Sequence, residues 1–376
     1  MTKDINKEKF PEETILKLNI FAECFREWYP VFLHNPYIKG IHIFDFFAGS
    51  GCDVEGNYGS PLILLNEAKG ENRVYCDKAY EKNISFTFNE ADSEKLTQLN
   101  INIDNYIESC KKNNACHEKC VYQNDIYYKG YKFKELIGHD SLLKVLQDST
   151  SAKFILLDQY GFKEVNNEVF EKLVDASKTD FIFFISSSFV KRFKDIDTVK
   201  NYIDTTSIEY NEKKPKECHR VIANYFESLI PEIKEYYLNH FTIQKGKNYY
   251  GLIFGSHHTL GMEKFLKVCW KQDVRAGESN CNINDDYEEG TLFYNENDTL
   301  KKKQVKEELI CKILSKEIKD NISGLKFTLK RRCLPKLFVE VVEELIENNK
   351  ITIVGKFNRQ ASNIHRIPQY GIEIIK

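Results

Sequence analysis

The sequence predicts an α/β fold: a mainly parallel sheet sandwiched between helices, an antiparallel hairpin at one edge, and a separate basic domain at the C-terminal end. Two observations predict the sheet. Short apolar runs, "IHIFDFF", "SFTFNEA", "CVYQNDIYY", "KFILLDQY" and "DFIFFISSS", alternate with helix-patterned segments such as "SEKLTQLNINIDNYIESC" and "NEVFEKLVDASK". Strands separated by helices make βαβ units, whose parallel sheet is buried on both faces. The runs "FTIQ" and "YYGLIFGS" flank "KGKN" and read as the hairpin. A swing in charge predicts the second domain.

With 376 residues, 42% of them hydrophobic, the chain can bury a large core and favours two domains over one. The net charge of −2 hides an asymmetry: residues 301–376 hold 17 Lys and Arg against 9 Asp and Glu, leaving 37 against 47 for the rest. Residues 278–300 carry seven acidic residues and no basic one, the pattern of a solvated linker. The expected division is residues 1–277, an acidic linker at 278–300, and 301–376. No run approaches the roughly 20 apolar residues of a membrane span, and "MTKDINKEKF" has no signal core behind its charges. Eleven cysteines, an odd number scattered along a long chain, read as reduced thiols, which fits a cytoplasmic address.

Taken in order, "TILKLNIFAECFREWYPVFL" has the periodicity of an amphipathic helix packed on the sheet. The first strand stops at Asp45, where "FDFFAGSG" turns away at the strand's carboxyl end, the place where such sheets bind ligands. Gly49 and Gly51 let a ligand approach the main chain, and Asp45 can accept hydrogen bonds from a cationic or hydroxylated group. "CDVEGNYG" is long for a strand-to-helix connection and reads as a lid, with Asp53 and Glu55 inward or solvated. Ser60 suits an N-cap and Pro61 the first helical position. The second strand ends at Glu90, where a ribose diol would be gripped. The third is expected to end at Asp125, near an adenine edge, and the fourth places Asp158, Gln159 and Tyr160 on the same rim.

These strand tips resemble class I S-adenosylmethionine-dependent methyltransferases, whose first motif often reads like "DLFAGSG" and whose fourth often reads Asp-Pro-Pro-aromatic. The set "IFDFFAGSGCDVEGNYGSPLILL", "FNEADSEKLTQL", "ILLDQYGF" and "YYGLIFGSHHTLGMEKFLKVCWK", over roughly residues 12–275, resembles the bacterial three-Cys-motif partner protein family, TcmP. The resemblance implies a Rossmann-like methyltransferase sandwich that binds S-adenosylmethionine. Phe47, Ala48, Gly49 and Gly51 would wrap its amino-acid and ribose portion, with Asp45 near the ammonium, Glu90 on the ribose hydroxyls and Asp125 on the adenine amino group. It implies an acceptor site in which Asp158 takes target N–H bonds and Tyr160 stacks on an extruded base. Gln159 stands where the family's proline is expected, so the acceptor pair is held by a less rigid turn.

Cys110, Cys116, His117 and Cys120 lie within eleven residues, but without paired C-x-x-C spacing or a second motif, and no metal is expected. In the C-terminal domain, helix, helix and two strands around a polar turn suit a winged helix-turn-helix. Lys330, Arg331, Arg332 and Lys336 cluster before its second long helix, with Lys356, Arg359 and Arg366 in the wing, where they would meet nucleic-acid phosphates. The other use of such a module is protein docking. The expectation is a methyltransferase acting on nucleic acid, in a phage-defence or mobile-element setting as the family resemblance suggests, with a protein partner encoded nearby. The alternative is a non-catalytic sensor of a nucleotide-like ligand that binds DNA or a partner protein.

Overall fold

A computed structural model describes residues 8–114, 120–123, 125–200, 202–287, 290–295, 299–361, 364–365 and 369–375. Cys116, His117 and Arg366 lie outside them. The chain forms two compact units, Met1–His257 and His258–Lys376.

In the first unit α1 (Glu12–Leu33) precedes β1 (Gly40–Asp45), α2 (Ser60–Lys69), α3 (Cys76–Tyr80), β2 (Asn83–Asn89), α4 (Ser93–Asn114) and β3 (Asp125–Lys129). Then come α5 (Phe133–Leu136), α6 (Asp140–Gln147), β4 (Ser151–Leu157), α7 (Asn167–Asp175) and β5 (Thr179–Ile185). The unit closes with α8 (Ser187–Arg192), α9 (Asp197–Lys200), α10 (Cys218–Ser228), β6 (Tyr237–Lys245) and β7 (Asn248–Ser256). Among the described residues the sheet runs β3-β2-β1-β4-β5-β7-β6. β1 to β5 are parallel, and β7 of the β6–β7 hairpin runs antiparallel to both β5 and β6. Strand order therefore reverses between β1 and β4, the switch point where open α/β sheets bind ligands.

Burial on both faces explains the near-continuous apolar strands. β4 has every residue from Ser151 to Leu157 buried. Phe154 points to α1, where the rings of Phe25 and Trp28 lie 5.3 and 5.1 Å away. Ile155 and Leu157 join the opposite core with Phe170 and Phe226. The stripe Phe21, Phe25 and Trp28 of α1 is fully or almost fully buried, and the Trp28 indole donates to Asp180 Oδ2 at 2.7 Å, at the start of β5.

One strand departs from expectation. β3 begins at Asp125, opposite Ser85, and ends at Lys129, opposite Asn89. Val121–Gln123 is a 3-10 turn, and Val121 and Tyr122 are buried beside α2, the Tyr122 hydroxyl donating to the Leu65 carbonyl at 3.2 Å. Their apolar character serves that packing, not a strand.

The second unit holds α11 (Thr259–Gln272), α12 (Leu300–Leu314), α13 (Asn321–Lys330), α14 (Pro335–Glu347) and the antiparallel pair β8 (Ile351–Val354) and β9 (Gly371–Ile374). The expected boundary after residue 277 would cut this unit. Trp270 of α11 donates its indole N–H to the Arg332 carbonyl at 3.1 Å. Glu278 is buried at 2% exposure and faces Lys301 at 3.4 Å and Arg332 at 3.8 Å, so the first part of the acidic run is packed against cations. α13 is a helix the sequence pattern hid, because Gly324 and Thr328 interrupt its apolar face. Asp320 and Ser323 close a capping box at its start. A side chain at Gly324 would sit 2.1 Å from the Phe338 ring, so glycine is what lets α13 and α14 pack.

Among the described residues, no helix is long and apolar enough to cross a membrane.

Candidate functional site

The carboxyl ends of β1, β2 and β4 bring Asp45, Glu90 and Asp158 to one rim. Asp45 is fully buried. Its Oδ1 accepts the Phe47 amide at 3.2 Å, while among the described residues no donor meets Oδ2 with hydrogen-bond geometry. Burial pushes this carboxyl up to about 7; Ser60 and the Phe47 amide pull it down, and the charges of Asp158 and Glu90 add to the rise. Ser60 is not the N-cap of α2, a place taken by Gly59; it lies buried in the first turn.

The loop after β1 is built by glycine. Gly49 and Gly51 have φ of 61° and 87°, in the left-handed region. A side chain at Gly51 would also meet Leu99 Cδ1 at 2.9 Å. Glu90 holds this loop from β2: its Oε2 accepts the Gly49 amide at 3.0 Å and its Oε1 the Asp92 amide at 2.9 Å. Phe47 packs on Phe133 with ring centres 5.1 Å apart, and Ala48 is buried, its amide bonded to the Asn89 carbonyl. Asp53, one of the two lid carboxylates, does not face a ligand. It accepts four donors, the amides of Phe10, Glu55 and Asn57 and the Asn57 side chain, and so pins the loop. Glu55 pairs with Lys9 at the surface.

Asp125 is not at this rim. As the first residue of β3 it lies at the opposite end of the strand, about 13 Å away at strand rise. The rim there is made by Lys129, Gly130 and Tyr131. A residue that sequence reasoning passed over joins it to the others: Asn89, 2% exposed, donates to the Phe46 and Tyr131 carbonyls at 3.2 and 3.0 Å and accepts the Tyr131 amide at 3.1 Å. Its signal in the sequence is a polar residue closing an apolar strand.

Asp158 meets another unanticipated residue. Lys17 of α1 sets its ammonium 2.7 and 2.5 Å from the two Asp158 oxygens and 4.7 Å from the Phe184 ring centre. Lys17 is in phase with the buried stripe of α1, and a lysine on an apolar face was the available clue. Gln159 is a brace. Its amide nitrogen donates to the Phe184 carbonyl at 2.9 Å, and its oxygen accepts the amides of Glu164 and Val165 at 2.9 and 3.2 Å. Both ends of its amide are engaged within the turn, and it supplies the rigidity that a proline would have given. Tyr160 is 71% exposed at the lip.

The candidate basic residues of the second unit are largely engaged within it. Arg331 pairs with Glu308 at 2.6 Å, Lys336 with Glu340 at 3.4 Å and Arg359 with Glu343 at 3.2 Å, besides the Arg332–Glu278 pair. Lys330 and Lys356 are exposed. Cys110 and Cys120 are buried, and among the described residues no group of three or more His, Cys, Asp or Glu could hold a metal ion.

No protein-family profile and no curated protein matches the chain. It is similar to solved structures: Trm1 from Pyrococcus horikoshii with S-adenosyl-L-methionine, at 11% identity and a TM-score of 0.39 over 72% of this chain and 62% of that one; the METTL16 MTase domain, at 10% and 0.32 over 65% and 68%; and M. jannaschii TYW2 in complex with AdoMet, at 10% and 0.31 over 67% and 78%. The chain thus spans less than two thirds of the Trm1 chain. These likenesses are distant, and the fold stands on its strand order.

Proposed function

We propose that the first unit binds S-adenosylmethionine at the β1/β4 switch point and directs methyl transfer to nucleic acid. The observation that carries the reading is Asp45: a fully buried carboxyl group at the tip of the central strand, with one oxygen that no donor among the described residues meets in good hydrogen-bond geometry, Ser60 being the neighbour that interacts with the group. Leaving such an atom unpaired costs on the order of 1–3 kcal/mol, which a cationic or N–H-bearing ligand would recover. Three carboxylates at the rim, with Lys17 already paired to one of them, disfavour a pyrophosphate. The loop of residues 46–59 also separates β1 from α2, so the glycines do not open a helix as a dinucleotide fingerprint requires. A ligand with an ammonium, a sulfonium and a ribose diol fits better. When bound, S-adenosylmethionine supplies an activated methyl group. The chain's own part is positioning: Gly49 and Gly51 allow close approach, Glu90 offers its carboxylate to hydroxyls, and Asp45 offers Oδ2 to a cation.

A second reading, a ligand sensor without catalysis, is favoured by the Lys17–Asp158 pair, which occupies the carboxylate that would take a target N–H. Resemblance to the three-Cys-motif partner family would set either activity in phage defence or a mobile element, beside a protein partner encoded nearby. The second unit's three packed helices and hairpin suit a winged helix, and its paired cations favour protein docking over DNA.

Calorimetry tests the ligand. Asp45→Ala and Glu90→Ala should each weaken S-adenosylmethionine binding at least tenfold, since a hydrogen bond to a charged group is worth about 1.5–3 kcal/mol. Unchanged affinity in both folded variants overturns the assignment. With binding established, labelled methyl groups on nucleic acid separate the enzyme from the sensor.

A further inference from the structure

The loops after β4 and β5 are tied together. The Ser186 amide donates to the Gly161 carbonyl at 2.9 Å, and Gln159 reaches the Phe184 carbonyl. From this joint two aromatic side chains emerge. Tyr160 is 71% exposed, and Phe189 of α8 keeps 42% of its surface open while its ring stacks on buried Phe162 at 5.4 Å and 26°. Phe193 supports it at 4.5 Å. Phe189 is therefore a fixed ring with a solvent side.

Cations lie on the same two segments of chain as these rings. Residues 187–197 hold three of them, Lys191, Arg192 and Lys194, followed by the exposed acids Asp195 and Asp197. Lys191 is paired with Glu212 at 2.9 Å. Lys194 lies 5.7 Å from the Tyr210 ring, and Lys163 lies 5.9 Å from that of Tyr202, which itself packs edge-on to Phe162. Arg192 touches Asn248 at the start of β7. Three carboxylates thus line the crevice, and beside it stands an aromatic shoulder whose cations Lys163, Arg192 and Lys194 are interspersed with Glu164, Asp195 and Asp197.

We infer that this shoulder is a stacking platform for single-stranded nucleic acid, with Phe189 and Tyr160 taking base faces and Lys163, Arg192 and Lys194 taking phosphates. It rests on the donor-site reading above, of which it names the substrate and the entry side. Exposed rings among cations match a flexible polyanion with aromatic bases, because each base offers a face to stack and each backbone unit a charge. In a duplex the base faces are already stacked on one another, so the platform selects unpaired strands.

Anisotropy with labelled 12-nucleotide single-stranded RNA, single-stranded DNA and the matching duplex, on the full chain, tests this. One or both single strands should bind more tightly than the duplex, and the two arms show which sugar is preferred. Phe189→Leu, which keeps the packing on Phe162, and Tyr160→Ala, at an exposed site, should each weaken single-strand binding about tenfold. The triple variant Lys163→Gln, Arg192→Gln and Lys194→Gln should flatten the slope of log K against log salt by about two. Each variant should bind S-adenosylmethionine within twofold of wild type. Donor binding with no single-strand binding, or single-strand binding unmoved by both ring variants, overturns the platform and leaves the donor reading standing. Single-strand binding lost in the ring variants of a chain that binds no donor supports the platform and overturns the donor reading. Binding to an anionic peptide in place of every oligonucleotide also overturns the platform, in favour of a protein ligand.

Discussion

Asp45 joins stability to ligand binding through one proton. In the unfolded chain its carboxyl titrates near 3.8, and in the folded chain burial moves it to about 7. Between those values the folded state binds more protons than the unfolded state, so stability falls as pH rises: the penalty is absent below about 4 and complete above about 7. Asp45→Asn keeps an oxygen for the Phe47 amide and cannot ionise. Its melting temperature should exceed that of wild type at pH 8 and converge with it near pH 4. Asp180, raised to about 6 by burial, titrates in both proteins and cancels from the difference. A difference that stays constant with pH would show that Asp45 is not the titrating group. Affinity for a cationic ligand has the opposite dependence, rising toward pH 7 as the carboxylate forms.

At the scale of elements, the strand tips are held by side chains that the sequence presents as ordinary. Asn89 ties the ends of β1, β2 and β3 through three hydrogen bonds, and Asn89→Ala would remove all three, stranding the buried Phe46 carbonyl and leaving the part-buried Tyr131 carbonyl and amide without this partner. We expect a loss of about 2–3 kcal/mol in urea unfolding. A loss below about 0.5 kcal/mol would mean that water replaces the amide. The first, second and fourth tips were legible because an apolar run that stops at an acid marks a buried strand leaving the sheet. The third was misplaced because "CVY" is equally apolar when it packs on α2 as a 3-10 turn, and periodicity carries no information about which neighbour covers a residue. Gln159 and Lys17 were hidden for a related reason. Their roles depend on residues 25 and 141 positions away, and spacing along the chain does not reveal such partners.

Across the whole molecule, the excess of basic residues after residue 300 pointed to DNA, but net charge counts side chains without regard to what each one faces. In the helix-turn-helix reading α14 would enter the groove. Its apolar side, Phe338, Val342 and Leu345, is buried, and its other side carries Glu340, Glu343, Glu344 and Glu347 against a single cation, Lys336. Glu344 pairs with Lys306 at 2.6 Å, as Glu340 and Glu343 do with Lys336 and Arg359. Four carboxylates on a recognition helix would repel phosphates, whereas the exposed ion pairs of Lys336 and Arg359 add little of their own. We therefore expect Lys330→Gln, Lys336→Gln, Lys356→Gln and Arg359→Gln, combined in the full chain, to change duplex DNA affinity by less than threefold at 100 mM salt and to leave its salt slope within half a unit. Had these residues met four phosphates, the slope would flatten by about 3.6, because each neutralised phosphate contributes roughly 0.9. A change of that size would return the second unit to DNA and make its glutamate pairs a latch that DNA opens.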